Sequence, residues 1–295
     1  MSVTLTQLRS FLAVVRDGSV TAAASDLVVS PPSISAAVAA LAREVGVPLL
    51  ERDGRGVRPT PAGREFASYA ADVLGLLETG TRAAREVEAK AGQELRIAAV
   101  TTAAESFVPP AMRAFAAVHP RIGLRLEVGN REHVLAMVTG HQADVAIGGN
   151  PPPDRRIEAR PVGPNELVLI AAADDPLAGV GRVAAGRLAG RTWLLREPGS
   201  GTRQANEAFL AGAGLDLETL TLGSNGAIKQ AARAGLGVSF VSHDAVVTEL
   251  DAGLLGLIEV AGGPEPRLWY AMRSTVGPVR PLVAEFIAFV GSPAA

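Results

Sequence analysis

The 295-residue sequence contains no cysteine. That absence excludes a disulfide framework, a thiolate metal site and a cysteine nucleophile. No stretch approaching about eighteen residues is apolar without a charge or a glycine, and the opening MSVTLTQLRS has no basic segment leading into an apolar one. A soluble, unexported, cytoplasmic protein with no membrane partner is the expectation. An excess of one charge is also lacking. With a formal net charge of −2 there is no global basic field, so nucleic-acid binding would have to rest on a local cluster. Histidine is scarce and scattered: His119 precedes Pro120, and no glutamate stands between His133 and His141 in a metal-binding arrangement. His243 is remote from all three, and no Ser/His/Asp set surrounds a sharp strand-to-helix turn. No metal, cofactor or catalytic residue is therefore expected, and an enzyme is disfavoured.

Hydrophobic residues make up 48% of the chain, ample for the two or three structural units that this length implies. Residues 1 to 60 read as short helices with tight punctuation. Leu8, Phe11, Leu12 and Val15 recur at helical spacing until Gly18. A second helix follows Thr21 through Ala22, Ala23, Ala24 and Leu27, and after a break at Val28-Val29 the sequence Ser30-Pro31-Pro32-Ser33 opens a third. This third helix carries Ile34, Val38, Leu41 and Val45 on one face and ends at Gly46. Leu49 to Thr60 then reads as two extended pieces about a glycine turn, the shape of a wing.

From Pro61 to about Lys90 one long helix is expected, with Phe66, Ala70, Val73, Leu77, Ala84 and Val87 on a single stripe. It cannot bury that stripe alone and is expected to pair with a copy of itself. Beyond Gly92 strands alternate with helices, an α/β pattern. The apolar runs Asp144–Gly148 and Glu166–Ala172 read as buried parallel-sheet strands. A second α/β unit begins near Val162 and runs to about Gly263. Leu268 to Met272 adds a last strand, and Val279 to Val290 a last helix.

Residues 18–24 (GSVTAAA), Leu27 to Ser35, Glu51-Arg52 and Thr60-Pro61-Ala62-Gly63 together resemble the helix-turn-helix, wing and linker start of LysR-type transcription regulators. The α/β half extends the resemblance over the whole chain. It implies an α/β fold overall with an N-terminal all-α winged helix-turn-helix at 1–60, a dimerisation helix at 61–91, and an effector domain at 92–295. That domain has the two-lobed periplasmic-binding-protein form, lobe I at 92–162 and 264–295 and lobe II at 163–263. The partners implied are double-stranded operator DNA, a second copy or a tetramer of this chain, and RNA polymerase. DNA contacts are expected from Thr21, Ser30, Pro31, Pro32, Ser33, Ser35 and Ala36, with Arg52, Arg55, Arg58 and Arg64 as the local basic cluster. Taken alone, those arginines are equally well a solvated charged loop. The family commonly has a glutamine where Pro31 stands and a basic residue where Ala36 stands, so base reading is expected to lean on the wing and on DNA shape.

In the second half, Arg196-Glu197-Pro198-Gly199-Ser200-Gly201-Thr202-Arg203 lies between a strand and a helix. Glycines let backbone amides converge, hydroxyls add donors, and the helix N-terminus completes an anion site. A tight turn is the plainer reading of such a loop. Thr101-Thr102, Asn130-Arg131, Gly148 and Ser224-Asn225 also fall at carboxyl ends of strands, where open α/β sheets place ligands. Ser224 and Asn130, taken singly, are ordinary helix caps. The segments GNREHV, REPGSGTR and GSNGAIKQA resemble the LysR subgroup that controls the ribulose bisphosphate carboxylase operon. That resemblance implies a small anionic effector, a phosphorylated sugar or a carboxylate, held by Thr101, Thr102, Asn130, Arg131, Gly148, Glu197, Gly199, Ser200, Gly201, Thr202, Arg203, Ser224 and Asn225. Gly149-Asn150-Pro151 departs from the glycine-arginine of that subgroup and removes one anion partner. A solute-binding protein, the other two-lobed reading, would have no use for residues 1 to 60.

Overall fold

The computed structural model describes residues 2–54, 56–89 and 93–292. It divides into two compact units, the first comprising the N-terminal residues to 91 with 139–142, the second the remainder. In the first, α1 (Leu5–Asp17) is opened by a reciprocal Thr4/Gln7 cap and closed by Gly18 at φ +63°, a left-handed value that glycine adopts without a Cβ penalty. Ser19 caps α2 (Val20–Asp26), and Ser30 caps α3 (Pro31–Val45), with Pro31 in the first turn. Val28, at φ +54°, makes the turn between them. The axes of α2 and α3 meet at 109°, within the range for a helix-turn-helix. Ala23 and Ala24, fully buried against Ile34, Ala13 and Val14, permit that close crossing.

β1 (Leu50–Asp53) and β2 (Gly56–Pro59) form an antiparallel hairpin, with Arg52 opposite Val57. α4 (Pro61–Ala89) follows, held by Thr60, whose hydroxyl donates to the Pro48 carbonyl at 2.8 Å and accepts from Gly63 N at 2.9 Å. Its first turns complete a core of Leu8, Phe11, Leu41, Leu49 and Ala70, with the rings of Phe11 and Phe66 5.8 Å apart. Tyr69, Val73, Leu77 and Val87 on the same helix are exposed.

In the second unit, β3 (Glu94–Val100) leads through α5 (Thr101–Glu105) and α6 (Val108–Val118) to β4 (Gly123–Gly129), then α7 (Arg131–Thr139) and β5 (Val145–Gly148). β6 (Ile157–Pro164) stays in the same sheet, two residues past the expected start of the second lobe. The chain then crosses into β7 (Leu167–Ala172), β8 (Trp193–Leu195), α8 (Gly201–Gly212), β9 (Thr219–Thr221), α9 (Asn225–Arg233), β10 (Ser239–Ser242), α10 (Val247–Asp251) and β11 (Leu255–Ile258). It returns as β12 (Leu268–Ser274) and ends with α11 (Pro281–Val290). The first lobe's sheet has the order β4-β3-β5-β12-β6, its first three strands parallel and β12 antiparallel to both neighbours.

The second lobe corrects one expectation. β7 pairs antiparallel with both β10 and β11, so Glu166–Ala172 is not a parallel strand. Continuous apolarity reports burial on both faces, and a central strand between two antiparallel neighbours satisfies it equally. The parallel pairing here belongs to β8 and β9.

Each lobe has its own core. Phe115, Trp269 and Phe286 pack with Ile97 and Ile147 in the first. Trp193, Phe209 and Phe240 stack in the second. Asn206, buried at 1% exposure, satisfies all its polar atoms there: Oδ1 accepts from Trp193 Nε1 at 2.7 Å and from Phe240 N at 2.9 Å, and Nδ2 donates to the Thr202 and Phe240 carbonyls. A fully satisfied buried amide rigidifies its surroundings. This one fixes the first turn of α8, which faces the other lobe.

Candidate functional site

Two surfaces gather the residues singled out in the sequence. On the first unit, Pro31, Pro32, Ser33, Ser35 and Ala36 are exposed on the leading turns of α3, and Thr21 is exposed on α2. Ser30 Oγ accepts from Ser33 N at 3.4 Å and lies 2.8 Å from Ser33 Oγ. Those two hydroxyls are therefore spent largely on the cap, and Thr21 and Ser35 are the ones without a partner among the described residues. Arg52 is exposed on β1. Arg58 pairs with Glu51 at 3.0 Å, and Arg64 donates to the Pro59 carbonyl at 2.9 Å. Arg55, at the wing tip, lies outside the described residues.

The second surface is a cleft between the lobes. Its cavity, about 40 Å³, is lined from the first lobe by Thr101, Thr102, Asn130 and Arg131 and from the second by Glu197, Ser200, Gly201 and Thr202. Ser200 caps α8, whose free amides face the cavity with the partial positive charge of the helix start. Arg196 also lines the cleft, but its guanidinium forks onto Glu197, Nε to Oε2 at 2.7 Å and Nη2 to Oε1 at 2.8 Å. Burial works against the Glu197 charge, but the Arg196 fork and a backbone amide together outweigh it and hold that carboxyl below its usual range.

Four further lining residues whose side chains can hydrogen-bond were not expected from the sequence: Asn165, Ser242, Arg267 and Trp269. Asn165 and Arg267 lie on the two segments that cross between the lobes, tied side by side by Asn165 N donating to Arg267 O at 2.8 Å. Ser242 ends β10, and the strand-end rule that found the others would have found it. No sequence rule points to Arg267 or Trp269 near the start of a returning strand. Gly149 sits where the cost of the missing glycine-arginine was expected. A Cβ there would lie 2.7 Å from Arg267 Nη2, so the glycine admits an arginine from elsewhere in the chain.

Five of the residues expected in the site do not line the cavity. Gly148 is buried behind it, where a Cβ would meet Met272 Cε at 3.0 Å. Gly199, at φ +84°, makes the turn and lets Asn130 approach. Arg203 is drawn off by Glu207 at 2.7 Å and the Arg196 carbonyl at 3.0 Å. Ser224 is an exposed cap whose Oγ accepts from Ala227 N at 3.1 Å. Asn225, at 2% exposure, joins the lobes instead. Its amide donates to Thr102 Oγ1 at 3.0 Å and Glu105 Oε2 at 2.8 Å, while its Oδ1 accepts from Arg196 Nη1. Because Thr102 Oγ1 accepts from Asn225, its own proton remains available to an acceptor in the cleft.

Arg131 and Arg267 stand apart electrostatically. Neither has a carboxylate partner among the described residues; Arg131 donates to the Asn150 carbonyl and Arg267 to that of Gly201 at 3.5 Å. Burial lowers the pKa of both, and the charge of Arg131 lowers Arg267 further. Beside them lie three buried polar atoms with no hydrogen-bond partner: Asn165 Oδ1, Ser242 Oγ and Trp269 Nε1.

A winged helix-turn-helix joined to a two-lobed domain with a donor-rich cleft defines a DNA-binding protein that senses a small molecule. Residues 5–64 match the bacterial regulatory helix-turn-helix model of the lysR family, and residues 88–294 match the LysR substrate binding domain. A RuBisCO operon transcriptional regulator of Allochromatium vinosum is 38% identical, covering 100% of this chain and 98% of its own length. The HTH-type transcriptional regulator CbbR of Xanthobacter flavus is 38% identical over 92% of this chain and 82% of its own. Among solved structures, the Synechocystis PCC6803 CcmR regulatory domain in complex with 2-PG is 31% identical at a TM-score of 0.64, over 67% of this chain and 95% of that one. CbnR, a LysR family transcriptional regulator, at 22% identity and a TM-score of 0.63, shares the fold over 97% of this chain and 98% of its own. The chain belongs to the LysR family of bacterial transcription regulators. It is a DNA-binding regulator with an effector-binding domain, and not an enzyme. No single helix among the described residues is long and apolar enough to cross a membrane.

Proposed function

We propose that this regulator controls a carbon-fixation operon in response to a small phosphorylated or carboxylated anion bound between the lobes. The observation that carries the anion reading is the convergence of unsatisfied groups. Three buried side-chain atoms without a hydrogen-bond partner, Trp269 Nε1, Ser242 Oγ and Asn165 Oδ1, belong to residues that line one cavity, beside two arginines without carboxylate partners among the described residues. Two of the three, the Trp269 indole N–H and the Ser242 hydroxyl, are donors, and a buried donor left unpaired costs about 1–3 kcal/mol, a cost that a ligand bearing acceptor atoms removes. The cavity of about 40 Å³ has room for roughly three waters, so the ligand's acidic group is small in this closed arrangement. The 2-PG held by the Synechocystis relative belongs to that chemical class.

In this reading residues 1–60 bind operator DNA, 61–91 pair two chains, and 92–295 sense the effector. The apolar stripe Tyr69, Val73, Leu77 and Val87 on α4 is the pairing surface, and two pairs assemble through the effector domains into a tetramer that bends the operator. Effector binding shifts the population of lobe arrangements and with it the tetramer. The site of action is the cytoplasm, where the DNA is, with RNA polymerase as a further partner.

The test is a mobility-shift titration of the full-length protein on its own upstream region, with and without 2-phosphoglycolate, alongside thermal melting. Salt-sensitive operator binding and a rise in the effector domain's melting temperature are expected. Intact operator binding with no stabilisation by any small phosphate ester or carboxylate would refute the anion reading.

A further inference from the structure

The inner cleft shares a wall with a second cavity. Arg131, Gly201 and Arg267 line both. The outer cavity measures about 720 Å³, in the range of ordinary small-molecule sites, and is far roomier than the inner one. Its floor is a face of α8 made of small residues, Ala205 and Ala208, beside the buried ring of Phe209. The segment 261–265, leading into β12, forms the opposite side. Gly201 puts no side chain in the shared wall. A Cβ there would lie 3.8 Å from Arg267 Nη2 and 3.9 Å from Arg131 Cδ, so the Arg267 guanidinium and the Arg131 side chain border it directly. Each donates one recorded bond, to a backbone carbonyl. A guanidinium presents donors along several edges, and donors remain for an anion on either side of the wall.

We propose that the outer cavity is a second ligand site, for an organic phosphate monoester with a flat, uncharged body. Its phosphate takes the outer edges of Arg131 and Arg267, and its body lies along Ala205 and Ala208 against Phe209. Glu265, the one acidic side chain lining this cavity among the described residues, rejects a second negative charge on the body. The inference rests on the anion reading of the arginine pair given above. Because the same two positive charges serve both cavities, an anion in one weakens binding in the other, and by linkage the weakening is reciprocal. The regulator would then compare two metabolites rather than report one.

Calorimetric titration of the full-length protein tests this, with 2-phosphoglycolate as the inner probe, phenyl phosphate as the outer probe and phenol as the uncharged control. Phenyl phosphate should bind at least about tenfold more tightly than phenol, a difference of ~1.4 kcal/mol. Ala208→Trp, at an exposed position on α8, fills the outer cavity. It should weaken phenyl phosphate about tenfold or more while leaving 2-phosphoglycolate within about twofold. Saturating 2-phosphoglycolate should raise the apparent Kd of phenyl phosphate severalfold. Gln204→Glu, also exposed, is an independent variant that should weaken phenyl phosphate alone. Phenyl phosphate that fails to bind, or binds both variants as it binds the wild type, overturns the proposal. If 2-phosphoglycolate fails on the wild type while phenyl phosphate binds and both variants weaken it, the inner reading falls and the outer site stands.

Discussion

Replacing Asn225 with alanine should weaken effector binding by roughly 30- to 140-fold and leave operator affinity unchanged. The side chain belongs to the second lobe, at the first turn of α9, yet its amide donates to Thr102 Oγ1 at 3.0 Å and to Glu105 Oε2 at 2.8 Å on α5 of the first lobe. A neutral hydrogen bond contributes about 1 kcal/mol and one to a charged group about 1.5–3. Both cross-lobe bonds exist only when the lobes are closed, and water recovers part of them on opening. About 2–3 kcal/mol of closure free energy is therefore at stake. A ligand that binds only the closed state loses affinity by the same factor when the open state prevails without it. At 1.4 kcal/mol per tenfold, this gives the range stated. Asn225→Asp keeps the acceptor for Arg196 but loses both donors and places a carboxylate beside Glu105, so its effect should be at least as large. Calorimetry with 2-phosphoglycolate measures the affinity, and small-angle scattering measures compaction of the effector domain on ligand addition. Affinities within about threefold of wild type in both variants would refute the reasoning, because the bonds would then carry no closure free energy.

Arg267→Ala should lower affinity for 2-phosphoglycolate by about ten- to a hundredfold, the worth of a charge-assisted bond, with operator binding retained; an unchanged calorimetric Kd would remove Arg267 from the site. Gly63→Ala should destabilise the DNA-binding unit by about 3 kcal/mol, because a Cβ would lie 1.9 Å from the Leu49 carbonyl oxygen. Circular-dichroism melting and mobility shifts would report the loss, while effector binding stays intact. Acid should selectively loosen the second lobe through Asp175. Burial there disfavours the charged carboxylate, but the Arg191 fork and the Leu177 amide outweigh it, and the net pKa lies below the ordinary 3.8. A depressed folded pKa gives stability that is present above the unfolded value and lost as pH falls through the folded one. Asp175→Asn should therefore flatten the melting-temperature profile below about pH 4, and an unchanged acid limb would count against it.

The helix-turn-helix was legible because its punctuation is local. Gly18 and Ser30 each act on their own turn, and nothing distant is needed to place α1 and α3; α2 was found too, though Ser19 is its cap, and Thr21, expected ahead of it, lies within it. The cleft was legible only where a residue ends a strand or begins a helix, as Thr101, Thr102, Asn130, Ser200 and Thr202 do. Arg267 and Trp269 escaped because their place depends on the chain returning to the first lobe between β5 and β6, a matter of topology rather than of neighbours in sequence. Strand polarity escaped for the same reason: β7 is apolar on both faces, and nothing in its residues distinguishes antiparallel neighbours from parallel ones. Asn225 shows a third limit. It was expected to hold the effector, but it lies outside the cavity lining and bonds across the lobes, and whether a buried amide reaches the cavity or the opposite lobe depends on distances that no sequence position supplies.

The charges of the cleft explain why it needs an occupant. Glu197 lines a cavity read as an anion site, which would be self-defeating if its charge stood free. Arg196 cancels it with a two-bond fork and at the same time donates to Asn225, so one cation both silences the unwanted carboxylate and braces the joint between lobes. That leaves Arg131 and Arg267 as the uncompensated pair, each partly stripped of water and each raising the cost of the other's charge. Partly buried like charges without counter-charges are costly, and neutralising substitutions would relieve that cost if the domain had only to be stable. Nor do the orphaned Trp269 Nε1 and Ser242 Oγ serve stability, since apolar groups of similar shape would fill those places without loss. Strain of this kind is best accounted for by the bound state, in which an anion meets the two guanidinium groups and the two donors together. Closure through Asn225 then occurs when the anion is present, and the lobes convert occupancy into shape.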